Sequence, residues 1–92
     1  MTEKISKNFK AIVSDISEGL VAVNPIFLKP FDEKGLKSLY KAIERKRSEI
    51  YAEPFPYNDA TLIRKRNMRL QRLHGTLIVV KNFARERSYI IL

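Results

Sequence analysis

The feature that most constrains the fold is an apolar stripe in the segment from residue 62 to residue 87. Seven apolar side chains of this segment fall within one arc when residues are spaced about 100° apart, as in an α-helix. They are Leu62, Ile63, Leu70, Leu73, Leu77, Val80 and Ala84. A helix over residues 60–86 is about 40 Å long, more than two shorter helices can fully cover. We therefore expect the stripe to pack partly inside the chain and partly against another subunit.

The same segment holds most of the positive charge of the chain. It contains eight basic residues and one acid, Glu86, so it accounts for +7 of the total charge of +8. Lys65, Arg69 and Arg72 lie beside the stripe, whereas Arg66 lies within it. A covered guanidinium needs a carboxylate, carbonyl or phosphate as its partner. Because a concentrated positive field attracts both nucleic acids and acidic proteins, composition alone does not separate these two partners.

A first helix and an apolar connector precede this region. Apolar residues recur at spacings of three and four from Ile5 onward, which predicts a helix over residues 3–19 with Gly19 as its stop. The connector that follows is interrupted by Asn24-Pro25 and closed by Pro30. We expect an irregular packed segment there, with a short strand at residues 21–23 as the alternative.

A second helix is predicted over residues 32–52. Asp32 can cap its first turn, and prolines at positions 54 and 56 end it. The charged run at residues 44–47 is typical of a solvated helix face. Asn58 or Asp59 can then cap the long third helix. The sequence thus predicts a single all-α domain, a small three-helix domain with a long C-terminal helix.

No arrangement typical of catalysis, metal binding or cofactor binding occurs in the sequence. His74 is the only histidine and there is no cysteine. The three glycines do not form a phosphate-binding loop, and the acids are scattered among basic residues. We therefore predict no enzyme activity, no cofactor and no metal. The apolar runs are shorter than the roughly 20 residues that cross a bilayer, so we expect a soluble intracellular protein without membrane contact.

Two further apolar segments lie outside the three predicted helices. One is the tail from Tyr89 to Leu92, and the other is the pair Phe55 and Tyr57 beside the prolines. Each could fold back on a small core or contact another chain.

Two segments resemble the first Psf-type subunit of the eukaryotic GINS replication complex. The string PFDEKGLKSLYKAIERKR, residues 30–47, is similar to the start of that family's second helix, where an acidic-Gly-Leu signature follows an aromatic residue. The string TLIRKRNMRLQRL, residues 61–73, resembles the arginine-rich start of its third helix. Leu62, Ile63, Arg64 and Arg66 match that pattern, whereas Asn67, Met68, Gln71 and Arg72 depart from it.

The resemblance implies a nuclear, non-catalytic helical domain that joins three sister subunits and supports the replicative helicase. The further helices and the small β-rich domain of that family have no counterpart up to Leu92, so it implies a reduced or truncated member.

Two functional hypotheses follow from these observations. The first is a scaffold subunit of a hetero-oligomer that also contacts helicase components, with a partner interface on the third helix. Its predicted interface residues are Leu62, Ile63, Arg64, Arg66, Leu70, Leu73, Leu77 and Val80. The alternative is a small basic nucleic-acid-binding protein whose third helix contacts phosphates through Lys65, Arg69 and Arg72. A regulatory or toxin-neutralising helical module with one acidic partner is a third, less favoured hypothesis.

Overall fold

Four α-helices form the body of residues 9–90, the part of the chain that this computed structural model describes. In chain order they are α1 (Phe9–Ser17), α2 (Pro25–Leu28), α3 (Glu33–Ala52) and α4 (Ala60–Glu86). These residues contain no strand, so the predicted all-α fold with a long C-terminal helix is confirmed. The predicted first helix includes residues 3–8, which lie outside the described residues.

Helix α2 corrects the prediction of an irregular connector for residues 25–28, whereas residues 21–24 are irregular as expected and form no strand. Asn24 caps this single turn, and its Oδ1 accepts a hydrogen bond of 2.9 Å from the amide of Phe27. Pro25 occupies the first turn, where its fixed φ suits a helix and its missing N–H costs nothing. The Asn-Pro pair therefore begins a short helix here.

The end of α1 confirms Gly19 as a helix stop. Gly19 has a φ of +80°, in the left-handed region that favours glycine. Its amide donates to the carbonyl of Ile16 at 3.1 Å, and the amide of Leu20 donates to the carbonyl of Asp15 at 2.9 Å. These two bonds form a Schellman motif, which satisfies carbonyls that the last helical turn leaves free.

Aspartates cap the two long helices at their first turns. Oδ1 of Asp32 accepts from the amide of Gly35 at 2.7 Å, and Oδ1 of Asp59 accepts from the amide of Leu62 at 3.0 Å. Both bonds satisfy amides that have no partner within the helix. The resulting bounds of α4 coincide with the predicted ones, and those of α3 differ only in leaving Asp32 as the cap.

The core lies between α4 and the three shorter helices, all of which contact it. Its buried apolar residues are Val13, Ile16, Leu28, Phe31, Leu36, Leu39, Tyr40, Ile43, Ile50, Leu73, Leu77, Val80, Phe83 and Ala84. Tyr89 packs against this core, so the first apolar residue of the tail folds back, whereas Ile90 is exposed. None of the helices described is long and apolar enough to cross a membrane.

Candidate interaction site

The apolar stripe of α4 is divided into a covered part and an open part. Leu73, Leu77 and Val80 are at most 5% exposed and belong to the chain's own core, and Leu70 is half-buried beside them. The prediction that Leu73, Leu77 and Val80 contact a partner is therefore wrong. The three shorter helices already cover these side chains, so they are not open to another subunit.

The open part of the stripe lies at the beginning of α4. Leu62 is 49% exposed, Ile63 is half-buried and Arg64 is exposed. Helix α3 is about 30 Å long and α4 about 40 Å, so α3 cannot cover α4 along its whole length. Of the predicted interface residues, those within the first turns of α4 remain accessible to a partner.

Aromatic residues from the end of α3 and from the following loop gather around this open part. Phe55 and Tyr57 have ring centroids 4.8 Å apart. The guanidinium carbon of Arg66 lies 5.1 Å from the Phe55 ring centroid and 5.6 Å from that of Tyr51. We name this surface the α3–α4 corner and define it as Tyr51, Phe55, Tyr57, Leu62 and Arg66.

Among residues 9–90, Arg66 does not have the partner that the sequence predicts for it. Instead of a carboxylate, carbonyl or phosphate, two aromatic faces hold its guanidinium, an arrangement that attracts a cation through the ring quadrupole. Its Nε is buried and has no hydrogen-bond partner among residues 9–90. The Arg66 side chain is therefore held in place while some of its hydrogen-bonding capacity remains unused.

Arg72 has a structural role between α4 and α1. Its Nη1 donates a hydrogen bond of 3.0 Å to the carbonyl of Ser17, at the end of α1. Its guanidinium also lies against Gly19, where an added Cβ would be 2.9 Å from the guanidinium carbon. Arg72 thus completes the cap of α1 and ties that helix to α4.

Arg69 is neutralised by two carboxylates from other elements. Its Nε lies 3.8 Å from Oε2 of Glu18, and its Nη1 lies 3.5 Å from Oε1 of Glu53. The Arg69 side chain is 17% exposed, whereas both glutamates are much more exposed. This arrangement offsets the charge of Arg69 and anchors the loop after α3.

The three residues of the predicted phosphate track on α4 are therefore not equally accessible, and their contact with phosphate stays a prediction. Arg69 and Arg72 point toward the chain's own carboxylates and carbonyl, and of the three only Lys65 is exposed. Lys65 and Arg69 nevertheless border a cleft of about 160 Å³ between α4 and the loop. Its lining residues are Glu53, Pro54, Pro56, Leu62, Lys65, Arg66 and Arg69.

The role of Tyr51 in this site was not recognised from the sequence. Its helical spacing assigns it to the apolar face of α3, yet it is 60% exposed and faces Arg66. Arg66 within the apolar arc was the signal that could have led to it, because a covered arginine can also stack on aromatic rings.

The site contains nothing that indicates metal chemistry. In the described part of the chain, no group of three or more histidine, cysteine, aspartate or glutamate residues is placed to hold a metal ion. The chemistry available at the corner is instead aromatic stacking, apolar contact and donation of hydrogen bonds from cations.

Comparison with known proteins adds no relative to this picture. No protein-family model matches the chain, and no curated protein or solved structure is significantly similar to it.

Proposed function

We propose that this chain is a non-catalytic scaffold subunit of a GINS-like DNA-replication assembly. In this proposal it acts in the nucleus, joins sister subunits and supports the replicative helicase. The resemblance of residues 30–47 and 61–73 to the first Psf-type subunit is the basis for naming the assembly.

The observation that carries the scaffold role is the exposed α3–α4 corner. Its three aromatic rings and Leu62 are between 38% and 80% exposed. Phe55 lies against Tyr57, Arg66 lies over the rings of Phe55 and Tyr51, and Leu62 lines a cleft with Arg66. Contiguous apolar surface of this kind marks interaction sites, and tyrosine and arginine are enriched among the residues that dominate binding energy. Because aromatic rings hold Arg66 in place, it loses little further side-chain entropy when a partner binds.

The charges around the corner indicate the chemistry of the partner. Lys65 is exposed and lines the cleft together with Leu62 and Arg66. A partner carboxylate at the cleft could accept charge-assisted bonds from these donors. We therefore expect sister subunits that present an acidic residue beside an apolar anchor.

The outer face of α4 offers a second place for a helical partner. Met68 and Ile78 are 43% and 47% exposed, and Gly75 between them has no atom within 4 Å of an added Cβ. A glycine inside a helix costs about 1 kcal/mol relative to alanine. No contact within residues 9–90 requires glycine at this position, whereas a closely crossing partner helix would.

The proposal is tested by affinity capture of the tagged full chain from native nuclear extract. Wild-type protein should recover three small helical proteins in equal amounts, identified and quantified by mass spectrometry. The corner variant Tyr57→Ser with Leu62→Ser should lose them, because a partner contact worth about 2 kcal/mol corresponds to a loss of affinity of about 30-fold.

A matched control replaces two other exposed apolar residues. Leu20 and Ile26 are 74% and 81% exposed and lie on the segment between α1 and α3. The variant Leu20→Ser with Ile26→Ser should retain the three proteins. Undiminished capture by the corner variant, or equal loss by both variants, would overturn the assignment of the corner.

A further inference from the structure

The outward face of α3 carries a line of cations that the scaffold role does not use. Lys34, Lys37, Lys41 and Arg45 are spaced by three, four and four residues, so they lie on one face of the helix. We name this set the α3 basic stripe. At about 1.5 Å per residue it extends about 16 Å along the helix axis. The buried residues of α3, such as Leu36 and Ile43, lie on the opposite face.

The α3 basic stripe is accessible to solvent. Lys34, Lys41 and Arg45 are exposed, and Lys37 is partly exposed. Within residues 9–90, none of the four side chains forms a salt bridge, since both ion pairs there involve Arg69. This distinguishes the stripe from the basic residues of α4, where Arg69 and Arg72 are held by groups of the chain itself.

The arc of the stripe holds hydroxyls and no acid. At about 100° per residue, Ser48 falls within it and Ser38 borders it on one side, whereas Glu44 borders it on the other side and Glu33 and Glu49 lie further out. Serine hydroxyls add neutral donors that can bond to phosphate oxygens. The face therefore carries four cations with hydroxyl donors along it, and its nearest acid, Glu44, lies at its edge.

The cations continue past the end of the stripe. Arg45 borders a groove of about 600 Å³ between α1 and α3, which Lys10 and Lys46 also line. Glu49 is the one acid among the lining residues. The groove thus extends the positive surface from α3 toward α1.

The stripe also lacks the apolar anchors that a protein interface needs. The large exposed hydrophobic residues of the described chain lie elsewhere, in the segment between α1 and α3, at the α3–α4 corner, on the outer face of α4 and at Ile90. The centre of a protein–protein interface is depleted in charge and rich in aromatic side chains. Contact with a phosphate backbone, in contrast, is supplied by lysine and arginine and needs no apolar centre.

We propose that the α3 basic stripe binds the phosphate backbone of nucleic acid without sequence specificity. Each cation of the stripe contacts one phosphate. Lys10 and Lys46 add positive charge near Arg45, at the C-terminal end of the stripe. This site is separate from the α3–α4 corner and does not depend on the scaffold role. Protein and nucleic acid can bind the two surfaces at the same time.

The test is the salt dependence of binding to a fluorescently labelled 20-base-pair duplex, followed by anisotropy with the full chain. Four phosphate contacts give a log-log slope of about −3.6, so affinity should fall about 150-fold between 50 and 200 mM salt. The stripe variant Lys34→Gln, Lys41→Gln and Arg45→Gln should have a slope of about −0.9.

A control variant removes the same charge from α4. Arg64, Lys65 and Lys81 are exposed, and their replacement by glutamine should leave the slope near −3.6. Circular dichroism and thermal melting establish that both variants are folded. If the triple stripe variant fails to fold, Lys41→Gln alone should lower the magnitude of the slope by about 0.9.

Three results would overturn the proposal. They are an unchanged slope in the folded stripe variant, a larger effect of the α4 control, and no salt-dependent binding by the wild-type chain. Poly-glutamate at the same charge concentration serves as competitor. Competition as strong as that of unlabelled duplex would show a general anion surface rather than a phosphate site.

Discussion

Two leucines on one face of α4 give the sharpest test of how this fold is held together. Leu62 and Leu73 are eleven residues apart, which is close to three full helical turns. Both belong to the apolar stripe and to the predicted partner interface, yet Leu62 is 49% exposed and Leu73 is fully buried. Truncation to alanine should therefore affect the free energy of unfolding very differently at the two positions.

The size of each effect follows from burial. Leu→Ala removes three carbons, which at about 0.8 kcal/mol each gives about 2.4 kcal/mol of lost transfer free energy at a buried site. The cavity left by Leu73 raises its total to about 3–5 kcal/mol, because the neighbouring helices relax only in part. At Leu62 half of the side chain already meets water and no enclosed cavity forms, so we expect about 1 kcal/mol.

Urea unfolding followed by circular dichroism at 222 nm measures this difference. A domain of this size has a total stability of about 5–14 kcal/mol, so Leu73→Ala removes a large share of it. With a slope near 2 kcal/mol per molar urea, its midpoint should fall by about 2 M and that of Leu62→Ala by about 0.5 M. Equal shifts, or a larger shift for Leu62→Ala, would refute the placement of α4 on the core.

Three further substitutions test other features of the structure. Gly75→Ala should raise the free energy of unfolding of the isolated chain by about 0.5–1 kcal/mol, because alanine favours a helix and the new Cβ would contact no neighbouring atom within 4 Å. The melting temperature should rise by about 4 °C, and a lower melting temperature would contradict this. Gly19→Ala should destabilise the chain by about 1–2 kcal/mol in urea unfolding, because alanine is strained at a φ of +80° and its Cβ would displace Arg72. An unchanged free energy of unfolding would mean that the turn relaxes freely. Arg72→Met should lower the free energy of unfolding by about 1.5–3 kcal/mol, because the Ser17 carbonyl loses its donor. Amide hydrogen exchange at the end of α1 should also become faster, and unaltered exchange there would contradict the capping role.

Much of the fold could be predicted from local patterns. The bounds of α4 follow from a helical apolar period that begins after Asp59, and those of α3 from the Asp32 cap and the prolines after it. The left-handed stop at Gly19 likewise depends on one residue type in a local conformation. Helix α2 was missed because Asn-Pro is a signal both for a break and for a helix start.

The candidate site was less predictable because it depends on contacts between distant residues. Periodicity shows which side of α4 is apolar, and it does not show which element covers that side. The bond from Arg72 to Ser17 joins residues 55 positions apart, so no local pattern separates this arginine from one that faces a ligand. The cation–π contacts of Arg66 with Tyr51 and Phe55 depend in the same way on how the loop after α3 folds back.

The position of the core on α4 has a consequence for how the protein is made. Five residues of α4 complete an interior whose other residues come from positions 13–50; they are Leu73, Leu77, Val80, Phe83 and Ala84. A ribosome therefore produces the apolar faces of α1 and α3 well before the helix that shields them. At about 5–20 residues per second, those faces stay open for seconds. During that interval we expect chaperones to bind the nascent chain. Folding becomes cooperative only once residues 73–84 have emerged from the ribosome.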